Sequence, residues 1–157
     1  LIKMLFSTKP SEIESVTMLG MNHFPFKKFK YMSWCGYMIY RKSKEERLKK
    51  EWRTKVFKIN KNHENMHLMQ AKKCGSWIKY YWKYFIEWVR CNPLTKPKVC
   101  YYTSRYESEA YANAEDFHYC DYYDGSNLSK YVFKNRKKLY KSVGNSAHSW
   151  VKYIKSL

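Results

Sequence analysis

Glycine and proline are scarce, five and four among 157 residues, which argues against collagen-like, low-complexity and disordered architectures. The five cysteines (Cys35, Cys74, Cys91, Cys100 and Cys120) are odd in number and form no C-x-x-C pair. That speaks against a disulfide framework and a thiolate zinc site, and fits reduced cysteines in a cytoplasmic compartment. No apolar run approaches the roughly 18 residues a transmembrane helix needs. The N-terminus has neither the apolar core nor the cleavage site of a signal peptide. Acids are the other shortage. Thirteen Asp and Glu face 31 Lys and Arg, for a formal charge of +18, and no acid follows Asp124. Such an excess attracts polyanions, whether nucleic acid, an acidic membrane surface or an acidic protein; the plainer alternative is a solvated basic surface.

Aromatic residues are abundant instead: sixteen Tyr, eight Phe and six Trp. The length suits one domain with one core. Residues 1–20 carry little pattern and read as an N-terminal extension, leaving 21–157 as a single domain with a basic C-terminal segment. Phe24–Lys30 is basic and aromatic. Tyr31–Tyr40 reads as one or two short apolar strands, with Gly36 at a turn or bulge. Arg41–Arg53 is charged and helix-prone. Thr54–Asn60 alternates polar and apolar, which predicts a short strand. Asn62 would cap the next helix, with Glu64 in its first turn and Gly75 as its stop. Ser76–Arg90 predicts a second helix. Its core stripe would be Trp77, Tyr81, Tyr84 and Trp88, widened by Ile78, Phe85 and Val89. With Lys79 and Lys83 interleaved, the same helix also suits a membrane interface. A loop over residues 92–98, a third helix from about Ser104, a turn near Asp124–Ser126 and two basic helical segments complete the chain. The fold class expected is mainly α (α+β), with a small N-terminal sheet or hairpin.

One stretch carries chemistry. Asn62–Gln70, "NHENMHLMQ", holds an H-E-x-x-H sequence. Residues four apart share a helical face, so His63 and His67 can reach one Zn²⁺ at about 2.0–2.1 Å. Glu64, beside the first histidine, is placed to take a proton from a water held there. At this chain's His and Glu frequencies the pattern arises by chance in roughly 1% of such sequences, so it is suggestive without being decisive. A catalytic zinc needs a third protein ligand. His23 and His148 lie in unlike contexts, and Lys73 stands where the longer H-E-x-x-H-x-x-G-x-x-H motif has its third histidine. Later carboxylates are the remaining source. "RYESEAYAN" (Arg105–Asn113) supplies Glu107 and Glu109, which point about 200° apart on a helix, so only one can face a metal.

"ESEAY" fits the E-x-x-A-[DY] pattern of the glutamate zincins, with Glu107 at the ligand position. More broadly, the ordered series "GYMIYRK", "NHENMHLMQ", "KYYWKYFIEWVR", "RYESEAYANAEDFHY" and "SWVKYI" resembles small zincin-like proteins of bacteria and phages. The resemblance runs from about Tyr31 to Ile154. It departs at Lys73, where the family often has an acid, and in a longer turn at Asp121–Ser129. It implies a compact zincin-like helical domain, a Zn²⁺ held by His63, His67 and Glu107, and Glu64 as general base. The activity implied is that of a zinc metallopeptidase acting on a peptide or protein. Glu109 is the alternative third ligand. Gln70, one turn beyond His67, is a candidate to support the site, and Glu87 reads as an ion-pair or supporting residue. His118 and Tyr119 are candidates for stabilising an oxyanion. The rival expectation is a catalytically silent domain of this fold, serving as a structural or assembly subunit on a polyanion.

Overall fold

The computed structural model describes residues 8–25, 30–90 and 97–157. Their architecture is mainly helical with one small sheet. Three strands, β1 (Thr17–Met21), β2 (Met32–Trp34) and β3 (Tyr37–Arg41), form it in the order β1-β3-β2. β3 is central, parallel to β1 and antiparallel to β2, with Leu19 and Met32 both opposite Ile39. The expected turn is present at Cys35–Gly36, both in the left-handed region. A Cβ on Gly36 would stand 2.7 Å from the Ile13 side chain, so a close approach as well as positive φ requires glycine there.

The boundary expected after residue 20 falls inside β1. Val16, just before the strand, is buried with Leu68, Ala71 and Trp77. Trp77 Nε1 also donates to the Thr8 carbonyl at 3.1 Å. The described residues before Met21 are therefore part of the domain. Their weak pattern reflects a strand whose hydrogen bonds come from a distant partner, β3.

Seven α-helices follow among the described residues: α1 (Glu45–Glu51), α2 (Lys55–Cys74), α3 (Trp77–Val89), α4 (Pro97–Tyr102), α5 (Arg105–Asn113), α6 (Arg136–Val143) and α7 (Ala147–Lys155). The 20-residue α2 is the spine of the molecule and packs on α3 and α5. It begins earlier than expected. Thr54 is the N-cap, its hydroxyl accepting from Phe57 N at 3.2 Å, so Thr54–Asn60 opens a helix and not a strand. The short alternation misleads because Phe57 is buried while Val56 faces solvent. Asn62 lies inside the helix. Its buried amide donates to the carbonyls of Ala114 and Asp116, both at 2.9 Å, capping the far end of α5. Gly75 ends α2 in the left-handed conformation, as expected.

Ser76 caps α3 through a bond from Lys79 N. This helix turns differently from the expected stripe. Trp77, Tyr80 and Glu87 are buried, whereas Ile78, Phe85 and Val89 lie exposed beside Trp82. The helix is apolar nearly all round, so its inward face is chosen by polar tips: tyrosine hydroxyls, and the Glu87 carboxylate that pairs with Arg90 and Arg105. The third helix is shorter than expected and gives way to a 3-10 turn at Tyr119–Tyr122. Leu128–Lys141 is not one helix; a 3-10 segment at Ser126–Tyr131 precedes α6. The C-terminal α7 buries Trp150 and Ile154. The expected loop at 92–98 falls largely outside the described residues, and the part that is described, from Pro97, is helical. So do Phe26–Phe29 of the basic aromatic stretch.

Candidate metal centre

α2 and α5 bring the expected ligand residues together. His63 and His67, one turn apart on α2, place their Nε2 atoms 3.2 Å from each other. Glu107, on the first turn of α5, faces them. Its Oε2 lies 3.3 Å from His63 Nε2 and its Oε1 3.4 Å from His67 Nε2. Glu107 and His63 are buried and His67 is nearly so.

Three observations fit these residues to a metal ion. The donor set, two imidazoles and a carboxylate, suits a divalent cation of intermediate softness. Ligand bonds of about 2.0–2.1 Å at tetrahedral angles separate neighbouring ligand atoms by about 3.3–3.4 Å, close to the spacings here. Glu107 Oε2 is buried and accepts no hydrogen bond, so a cation would satisfy an otherwise costly orphan. Without one, a proton takes the cation's place. Burial works to lower the His67 pKa, but the Glu107 carboxylate outweighs it, helped by Glu64 and Gln70, and lifts it to about 9. Burial likewise works to raise Glu107, and the His67 and His63 rings overcome it and hold the carboxyl well below its usual range.

A supporting shell fixes the orientation of these groups. Gln70 Oε1 lies 2.9 Å from His67 Nδ1 and accepts its proton, which leaves Nε2, facing Glu107, as the nitrogen that would hold a metal. The Gln70 amide is itself locked, donating to the Tyr106 carbonyl at 3.0 Å and to Glu109 Oε2 at 2.9 Å. Tyr80 OH stands 3.0 Å from the same His67 Nδ1–H and donates to Gln70 Oε1 at 3.4 Å, and Tyr84 OH donates to Glu107 Oε1 at 2.6 Å. Burial first, with the Glu107 charge among the further causes, pushes both hydroxyls well above the usual tyrosine range, so both remain donors. The Tyr111 ring packs on His63 with centroids 4.4 Å apart.

The two glutamates of α5 separate cleanly. Glu109 is fully buried on the other side of the helix, where Gln70, Tyr119 and Tyr123 all donate to it. It is not in the ligand cluster. Tyr119 and His118 are not at the cluster either. The Tyr119 hydroxyl is spent on Glu109, and the exposed His118 ring pairs with Asp121. Their place in sequence, three turns past Glu107, misleads because α5 ends at Asn113 and the chain turns away. Glu64 is partly exposed and borders both cavities that meet at the cluster. One, about 470 Å³, is walled by Trp34 and Cys35 of the β2–β3 hairpin and by Tyr80, Tyr81 and Tyr84 of α3. The other, about 410 Å³, runs toward Lys30, Tyr111 and Lys155. Two hydrogen bonds hold the hairpin region over the first cavity: Cys35 N to Tyr81 OH at 2.9 Å, and Val16 N to Asn65 Oδ1 at 2.8 Å.

Tyr80, Tyr84 and Tyr111 are the residues that sequence reasoning missed. A signal existed: buried tyrosines need a partner for the hydroxyl, and Tyr80 and Tyr84 lie one turn apart. Compared with protein-family models, curated proteins and solved structures, the chain gives no match.

Proposed function

We propose that the chain is a zinc-dependent metallopeptidase whose centre is His63, His67 and Glu107, with Glu64 as general base. The observation that supports this best is the convergence of three ligand atoms, one an orphaned buried oxygen, beside the Glu64 carboxylate at the meeting of two cavities. A zinc ion held there supplies a Lewis acid that polarises a peptide carbonyl and makes water acidic near neutral pH.

The remaining roles belong to the chain. The Gln70 carbonyl fixes the His67 tautomer, and Tyr84 steadies the Glu107 carboxylate, so the donors are set before any ligand arrives. Glu64 adjoins His63 but stays out of the cluster. Its carboxylate is therefore available to take a proton from water and pass it to the leaving amine. The hairpin and α3 wall the larger cavity with aromatic rings, which shields the reacting carbonyl from bulk water.

Incubation of the purified protein, with one equivalent of zinc, with an unfolded protein substrate tests this. Cleavage should depend on zinc, stop with a chelator and be absent in Glu64→Gln. Zinc binding without cleavage, across a broad substrate panel, would instead support the silent structural subunit.

A further inference from the structure

The outer face of α3 has no role at the metal centre. Ile78, Trp82, Phe85 and Val89 are 73%, 63%, 48% and 45% exposed. At 3.6 residues per turn these four fall within an arc of roughly 60°, on a stripe about 16 Å long. They are neighbours in space as well: the Trp82 and Phe85 rings are 6.1 Å apart. Isolated exposed apolar residues are ordinary, but a continuous stripe with two aromatics is not.

Lys79 and Lys83 lie on one flank of the helix, about 60° and 100° round from the edge of the stripe, within reach of long side chains. Both are exposed, and neither ammonium group has an ion pair among the described residues. The only carboxylate on the helix, Glu87, is buried on the opposite side against arginines. The surface is therefore apolar along its ridge, cationic along its flank and without acid, on a chain of charge +18.

We propose that this face of α3 docks on an anionic phospholipid surface. The stripe enters the headgroup boundary, with Trp82 and Phe85 as anchors, while Lys79 and Lys83 meet lipid phosphates. A second copy of the chain fits less well. Four residues supply far less than the roughly 800 Å² per partner of a stable interface, and pairing would bring two strongly positive molecules together. Tyr80 and Tyr84, turned away from the stripe, and Tyr81, beside it, line the larger cavity, so lipid contact would hold that cavity about one helix diameter from the membrane surface.

Flotation with vesicles tests this, using the full chain and two lipid mixtures, phosphatidylcholine alone and phosphatidylcholine with a third phosphatidylserine. The wild type should float with the anionic vesicles only. Trp82→Ser combined with Phe85→Ser should weaken partition by about tenfold or more. Lys79→Gln with Lys83→Gln should weaken it less, and raised salt should mimic that loss. Because all four side chains are exposed, circular dichroism and thermal melting should show both variants folded. Anionic-vesicle binding that is unchanged in the serine variant would overturn the proposal, as would no vesicle binding at all. So would a dimer in light scattering that the serine variant abolishes.

Discussion

The two sides of α5 hold one buried glutamate each, two residues apart, and the surroundings give them opposite characters. Glu107 faces two imidazoles and is held ionised, with one oxygen left without a donor. Glu109 faces an amide and two phenols; burial raises its pKa against all three donors. One side is a cradle with an unmet need, which suits a cation. The other is a closed polar network that needs nothing further. The difference teaches that carboxylate identity and burial do not make a ligand; the count of donors around it does. The two sides are also joined, since Glu109 positions Gln70 and Gln70 positions His67.

The largest effects should come from exchanging the two glutamates' fates. Glu107→Ala should abolish peptide cleavage, whereas Glu109→Gln, which keeps an acceptor for Gln70, should retain most of it; a peptidase assay on zinc-loaded protein compares them. Truncation on the closed side should cost stability instead. Glu109→Ala strips the acceptor from three buried donors, and chemical denaturation should show a loss of about 3 kcal/mol or more. Its zinc affinity should fall by about 10–100-fold, because His67 loses its anchored partner.

Acidity offers a third comparison, in protein stripped of metal. The His67 pKa is raised from 6.5 to about 9 in the fold, so its contribution is full below pH 6.5 and is lost as pH rises toward 9. Metal-free protein should therefore lose about 3 kcal/mol of stability across that window, followed by denaturation at each pH. Glu107→Gln should flatten this slope. The smallest effect should come from Tyr84→Phe, which removes a single donor to Glu107 Oε1: zinc affinity should weaken about tenfold, measured by competition with a chromogenic chelator.

Much of the cradle was legible because it follows from helix geometry and order. His63 and His67 share a face by spacing, and "ESEAY" in the right order pointed to Glu107 over Glu109. The mainly helical class, the turn at Gly36 and the helix stop at Gly75 follow from local signals as well. What stayed hidden depends on distant partners. β1 needs β3 before it is a strand, and Thr54–Asn60 follows the cap at Thr54, not its own alternation. α3 carries apolar residues on nearly every side, so the tyrosine and Glu87 contacts reveal which face turns inward and leave Ile78, Phe85 and Val89 outside.

The central claim is that one divalent cation sits among His63, His67 and Glu107, and metal stoichiometry tests it most directly. Elemental analysis of dialysed wild-type protein, after exposure to excess zinc, should give one zinc per chain. Glu107→Ala should give none and Glu109→Gln one. A folded wild type that retains no zinc, or a Glu107→Ala chain that retains a full equivalent, would contradict the account.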